Sequence, residues 1–342
     1  MASAFFTILF TLLVMEVLVG MIANGFILLI NCIDWFRSRK LSPVDLILSC
    51  LGLSRLAWQA IGLLDATLFF FFLGTYLSSS MQLMFPILFM FMNTVNIWFA
   101  TWLSVLYFVK ITIFSHPVIL RVKQRFSRLV PWLLLGSFVF SAVFTTIIIT
   151  GLNYDARSCH RYKSLLSNSN DSQIKTPPFC WYFTILATAP HFIAILIFAS
   201  STILLIVSLW KHTRSVQCNG VGPRDLSTQV HLTAIKALAS FLILYLSCFI
   251  AIILQSLITW RKNHTWTSVL YHNVTAAYPS GHAIILILIN PRLKQAWVRM
   301  LQHLNCLRDL GWFHTVKLTR LYRIQKKSTK VCTISGQSES CC

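Results

Sequence analysis

The 342-residue chain is 56% hydrophobic and only 11% charged, with a mean hydropathy of +0.69. Soluble domains are roughly 25% charged, so this chain lacks the charge to coat a water-soluble globule. That excludes a soluble enzyme, a disordered scaffold and a nucleic-acid-binding domain as first readings. Its 29 Lys+Arg against 9 Asp+Glu leave +20, a surplus that in so apolar a chain belongs in the loops of a bilayer protein.

Taken in chain order, seven runs are long and apolar enough for membrane helices: 4–32, 44–68, 83–111, 129–151, 182–209, 231–260 and 266–289. Each offers the roughly 20 residues that a helix needs to cross the hydrocarbon core. The second run is interrupted by Arg55 and Asp65. The first is a retained anchor rather than a cleaved signal, because no basic residue precedes it and it outruns a signal peptide's apolar region. The expectation is an all-α membrane protein, a seven-transmembrane helix bundle. Alternate loops hold 22 of the 29 Lys+Arg, and the opposite loops hold six. Positive charge marks the cytoplasmic side, so the N-terminus is predicted to be extracellular and the C-terminus cytoplasmic. The domain reading is a seven-helix receptor domain over 1–290, an amphipathic cytoplasmic helix over 291–305, and a basic, disordered tail over 306–342.

Sequons at Asn170 and Asn263 fall in loops on the side assigned to the exterior, where glycosylation is expected. A third, at Asn273, lies within the seventh run and is expected to stay bare. Cys32, Cys50 and Cys248 fall in or beside apolar runs and behave as small hydrophobes. Cys159 and Cys180 share one polar segment and are the candidate disulfide pair. Cys306, at the end of the 291–305 helix, is a candidate for palmitoylation.

Ionisable and polar groups inside spans are costly and therefore informative. Arg55 supports two readings, a polar hinge that biases one helix arrangement or a fixed structural tie, with Asn24 of the first span at matching depth as a partner. Glu16 and Asp65 meet either a cationic ligand or local partners and water. Asn93, Thr94 and Asn96 lie one turn apart, and residues at i and i+3 share a helix face. That face either lines a cavity between helices or supplies interhelical hydrogen bonds. His272 is either a ligand contact or a hydrogen-bonded packing residue. Pro190 and Pro279 remove backbone hydrogen bonds within the fifth and seventh spans and can kink them.

No phosphate loop, His-Glu-x-x-His, nucleophile elbow or dinucleotide fingerprint occurs. No enzyme, cofactor or metal site is therefore expected. Several motifs carry a resemblance. Asn24-Gly25 and Ser54-Arg55 mark the first two helices. The run from Trp98 to Ile111, followed by Phe114-Ser115-His116-Pro117, marks the third helix and the inner loop after it. Leu209 to Arg214 ends the fifth helix, and Asp225 to His231 with Ala234-Ile235-Lys236 opens the sixth. Tyr278-Pro279-Ser280-Gly281-His282 through Gln295 marks the seventh. Together these resemble the bitter taste receptors, the type 2 taste receptor family of G protein-coupled receptors, over roughly residues 5–300. The acidic-Arg-Tyr and Asn-Pro-x-x-Tyr motifs of rhodopsin-like receptors are missing.

The resemblance implies a plasma-membrane receptor that detects bitter small molecules and activates a gustducin-type heterotrimeric G protein. It implies an agonist cavity bounded by the third, fifth, sixth and seventh helices, with Asn93 as the recurrent contact, and a glycan where Asn170 stands. Phe89 replaces the tryptophan of many members and His272 the glutamate of some, so a preference for cationic agonists is not implied. A neutral His272 offers one donor and one acceptor. The expected ligand contacts are Phe89, Asn93, Asn96 and His272. The expected G-protein-facing residues are Tyr107, Lys110, His116, His212, His231 and Lys236, although positive charge in those loops is also expected for topology alone. Asn24, Arg55, Pro279 and His282 are the expected switch or packing residues. Leu293, Trp297, Met300, Leu301 and Leu304 share a helical face suited to the inner leaflet, and the basic stretch beyond suits anionic lipid. The competing reading is a multi-span membrane transporter.

Overall fold

A computed structural model of the chain describes residues 2–76, 78–111, 117–166, 182–218, 224–258 and 265–303. Eight helices form the first of its two compact units, Met1–Ile289: α1 (Ala2–Ser38), α2 (Pro43–Phe71), α3 (Leu73–Tyr76), α4 (Ser79–Ile111), α5 (Pro117–Leu166), α6 (Tyr182–Cys218), α7 (Arg224–Ile258) and α8 (Thr265–Ile289). The described parts of all seven apolar runs are helical. Among the described residues, six helices are long and apolar enough to cross a membrane, or seven when Leu270–Ile289 and Pro291–His303 count together as one span. The one-turn α3 was not anticipated, because four residues carry too little periodicity to register.

Local chemistry sets several helix ends. At the end of α1, Arg39 takes a left-handed conformation (φ 53°) and its N–H donates to the Trp35 carbonyl at 2.8 Å. This is the usual way a helix closes its last orphan carbonyls. Three residues on, Ser42 caps α2. Its Oγ accepts from the Asp45 backbone N–H at 3.2 Å and donates to Asp45 Oδ2 at 2.8 Å, with Pro43 in the first turn. Both features are strong start signals. Pro86, Pro131, Pro190 and Pro279 lie inside α4, α5, α6 and α8, which continue through them. In α5 the helix overruns the apolar run at both ends, taking in the basic stretch around Arg125 and Arg128.

The helices close a ring in which α1 packs on α2 and α8, α2 on α4, α4 on α5 and α6, α6 on α7, and α7 on α8. Cross-helix contacts fix the directions. Ser54 meets Asn96 while Trp58 meets Phe89, so α2 and α4 are antiparallel. Asn93 meets His191 and Ser104 meets Ser201, so α4 and α6 run parallel. Phe192 faces Phe249 and Phe198 faces Tyr245, so α6 and α7 are antiparallel.

The outer surface is apolar, unlike that of a soluble bundle, and polar groups are buried among the apolar core residues. Trp132 is 69% exposed and Ile243 67%, whereas Arg55, Asn31, Thr101 and Ser141 are all 0% exposed. An apolar coat around an interior that also holds buried polar side chains is what a lipid solvent selects. Interhelical hydrogen bonds and close packing then hold the helices together without a hydrophobic driving force between them. One such bond is Trp102 Nε1 to Ser137 Oγ at 2.8 Å between α4 and α5. Another site is Ser104 Oγ, which lies 2.8 Å from both Ser201 Oγ and Thr202 Oγ1 of α6.

The second unit, Asn290–Cys342, contains the helix Pro291–His303. Asn290 caps it, with Oδ1 accepting from the Arg292 N–H at 3.1 Å and its carbonyl from the Lys294 N–H at 2.9 Å. Leu293 is buried and Trp297 and Met300 are half-buried, while Lys294, Gln295, Arg299 and Gln302 are exposed. Leu301, expected on the apolar face, is exposed. Leu304 and Cys306 lie outside the described residues.

Candidate functional site

The N-terminal half of α4 gathers the predicted ligand contacts. Phe89 packs against Trp58 of α2, with ring centroids 4.9 Å apart, and edge-on against His272 of α8 at 5.8 Å. Tyr271 lies against the other side of His272 at 5.3 Å. One turn along α4, Asn93 Nδ2 donates to His191 Nε2 of α6 at 3.2 Å. Aromatic and amide groups from α2, α4, α6 and α8 therefore meet within two turns of α4. Such a mixture of apolar walls and a few directional polar groups can orient a small organic molecule.

Asn96 departs from its expected place. It is buried, and its Oδ1 accepts from Ser54 Oγ at 2.6 Å. That bond commits Asn96 to the α2–α4 contact, where the hydrogen-bonding alternative predicted for this face holds. Thr94 turns back on its own helix and donates to the Met90 carbonyl at 2.8 Å. A groove of about 260 Å³ elsewhere, between α4 and α5, is lined by Trp98, Trp102, Trp132, Ser137 and Phe140 and includes none of the predicted ligand contacts.

A second cluster lies deeper. Arg55 of α2 has no exposed surface. Its Nη2 donates to Tyr278 Oη of α8 at 3.3 Å and contacts His282 Nδ1, and its guanidinium lies 5.3 Å from the Tyr278 ring centroid. His282 in turn sits edge-on to Phe241 of α7 at 4.1 Å, and Tyr278 faces Tyr245 at 5.4 Å. Asn24 is not the partner expected for Arg55, since its Nδ2 donates to the Gly20 carbonyl of its own helix at 2.8 Å. The reason is rotational. Depth along the bilayer is readable from sequence, but which face of α2 turns toward α1 or α8 depends on packing.

Next to this cluster, Gln59 Nε2 donates to Ser280 Oγ at 3.1 Å, and Ser280 Oγ donates to the Glu16 and Ala276 carbonyls at 2.9 and 3.0 Å. Pro279, beside Ser280, is buried within α8. One polar joint thus links α1, α2 and α8.

Of the residues expected to face a G protein, Lys110 ends α4 and is exposed, Tyr107 lies a turn earlier and is half-buried, and Lys236 of α7 is exposed. His212 and His231 belong to α6 and α7. Their helix directions carry them to the same end of the bundle as Lys110. His116, Asn170, Cys180 and Asn263 lie outside the described residues, and Cys159 falls in α5. Sequence reasoning missed His191, Trp58 and Gln59. His191 met the same test that singled out His272, a titratable ring inside an apolar run.

Long apolar-coated helices with polar groups buried between them define a multi-pass membrane protein. A family model described as "Taste receptor protein (TAS2R)" matches residues 1–305. "Taste receptor type 2 member 39" of Macaca mulatta is 36% identical over 304 residues, covering 87% of this chain and 87% of the relative. "Taste receptor type 2 member 8" of Gorilla gorilla gorilla is 32% identical over 84% of this chain and 92% of its own length. The human "Taste receptor type 2 member 39" is 34% identical over 86% of each. The chain belongs to the type 2 taste receptor family, the bitter taste receptors among the G protein-coupled receptors, and is a multi-pass protein of the plasma membrane.

Proposed function

We propose that this receptor takes bitter small molecules from the extracellular side against Phe89, Asn93 and His272, and that agonist binding activates a gustducin-type G protein. The meeting of Phe89, Asn93 and His272 with Trp58 and His191 carries this reading. The rings supply apolar walls. Asn93 is positioned by His191 and turns its remaining amide capacity to the ligand, and His272 adds a directional polar group. Asn96 braces the α2–α4 contact behind them.

An agonist shifts a two-state bundle only by binding one state better than the other. Here the ligand draws α4 and α8 together through Phe89 and His272. The Arg55–Tyr278–His282 contacts, with Asn24 and Pro279 at the flanking helix segments, hold the alternative arrangements of α2 and α8. At the cytoplasmic end Tyr107, Lys110, His116, His212, His231 and Lys236 edge the surface offered to the G protein. The N-terminus faces outward and bears the glycan sites Asn170 and Asn263 on its side, with Cys159 and Cys180 as the disulfide pair there. The tail lies on the inner leaflet, anchored through Cys306.

The test is a calcium assay in cells carrying a promiscuous G protein, with an agonist found by screening. Asn93→Ala is expected to abolish the response with surface expression intact, and an unchanged response would remove Asn93 from the pocket. Agonist-dependent nucleotide exchange on a purified G protein distinguishes this receptor from a transporter, which gives none.

A further inference from the structure

Arg55 brings a full positive charge into the middle of the bundle with no exposed surface. Both groups that bond it, Tyr278 and His282, are reached through Nη2 alone. Neither is a carboxylate. Its Nε and Nη1, which together carry three N–H groups, are buried and hydrogen-bond nothing among the described residues. Trp58 Nε1 is also buried without an acceptor. It stands three residues along α2, and residues at i and i+3 share a helix face. One face of α2 therefore presents a cation and four N–H donors that meet no acceptor among the described residues.

Among the described residues no carboxylate bonds that guanidinium. Asp45 and Asp65 stand ten residues from Arg55 in either direction along α2, about 15 Å by helical rise. The Glu16 carboxylate of α1 makes no bond to Arg55, and its Oε2 is buried without a hydrogen-bond partner. The Tyr278 ring beneath the guanidinium offsets part of the cost. An uncompensated buried cation remains strongly disfavoured, because low dielectric removes solvation without replacing it. The missing partner is an acceptor with negative charge and no hydrogen of its own to place.

We propose that a small monovalent inorganic anion of the chloride class binds beside Arg55 in the bundle interior, held by Arg55 Nε and Nη1 and by Trp58 Nε1. The anion neutralises the guanidinium while Nη2 keeps its bonds to α8, so occupancy stabilises the α2–α8 contact. The side chains that would hold it, Arg55 and Trp58, offer donors alone, which suits a halide. An oxyanion such as phosphate is larger and more strongly hydrated.

The experiment uses the full chain in lipid nanodiscs without agonist or G protein. Thermal unfolding is followed as sodium gluconate is replaced by sodium chloride or sodium bromide at constant ionic strength. Wild type is expected to show a saturable rise in midpoint of roughly 3–6 °C in either halide. Trp58→Phe keeps the ring and removes one donor, so it should need several-fold more halide to reach half the effect. Arg55→Gln, where it folds, should show no halide dependence. Equal midpoints in gluconate and chloride would overturn the proposal. So would a halide effect that does not saturate, or one that Trp58→Phe leaves unmoved, since either would mark chloride binding to the cationic loops or water beside Arg55.

Discussion

At Gly20 of α1, Gln59 of α2 and Ser280 of α8 both approach the backbone, and an added methyl there tests the reasoning about the joint. A Cβ built on Gly20 runs into Gln59 Nε2 and Ser280 Oγ and lies 3.0 Å from Ser280 Cβ. The Gln59 amide is the far end of a flexible side chain and can swing away, at the expense of its hydrogen bond to Ser280. Ser280 Cβ is fixed by the α8 backbone, so relief requires α1 and α8 to separate. Overpacking of this kind costs about 1–3 kcal/mol, and an interhelical hydrogen bond in a membrane protein contributes about 0.6–1.7 kcal/mol. Against this, replacing glycine by alanine within a helix returns about 1 kcal/mol. Gly20→Ala should therefore destabilise by about 1–3 kcal/mol, or roughly 2–12 °C in melting midpoint. The control lies five residues away on the same helix, because a Cβ on Gly25 meets nothing within 4 Å. Gly25→Ala should leave stability unchanged or raised by up to about 1 kcal/mol. Both variants can be compared by fluorescence-detected size-exclusion after heating, with surface expression as a second readout. The pair Gly20→Ala with Ser280→Ala should be less damaged than the sum of the singles, since the clash with Oγ disappears. If Gly20→Ala melts with wild type, or Gly25→Ala falls as far, the three-helix joint does not hold the bundle as described.

Further substitutions separate packing from recognition. Asn96→Ala should lower thermal stability by about 0.6–1.7 kcal/mol through loss of the Ser54 bond and leave the agonist concentration for half-response within a few-fold of wild type. A large potency shift at normal stability would place Asn96 in the ligand site after all. Trp102→Phe should cost a similar amount by removing the bond to Ser137, whereas Trp98→Phe removes an indole N–H that bonds nothing among the described residues and should cost less in the same melting assay. Ser104→Ala deprives both Ser201 and Thr202 of a partner across the α4–α6 contact. It should destabilise by about 1–3 kcal/mol, read from the loss of folded receptor on heating.

Much of this protein was legible in its residues because lipid imposes a simple rule. Hydrocarbon cannot satisfy backbone polar groups, so each apolar run must be helical, and the described parts of all seven runs are helices, several of which continue past the apolar run. The same rule singled out Arg55, Asn93 and His272, since a polar group within such a run is costly unless it has a partner. Family membership was legible too, because motifs such as Ser54-Arg55 and Pro279-Ser280-Gly281-His282 occur at helix positions that recur together.

What tertiary structure alone decided is who meets whom. Sequence gives depth along a helix but not rotation about its axis, and a helix buried on several sides shows no single apolar stripe to reveal it. Asn93 and Asn96 share one face of α4, yet the first meets His191 of α6 and the second Ser54 of α2. Arg55 turned to Tyr278 and His282 rather than to Asn24 at the same depth. The same holds at Gly20, where side chains from α2 and α8 both reach the α1 backbone. Such meetings are settled by atoms far apart in the chain, and no local pattern records them.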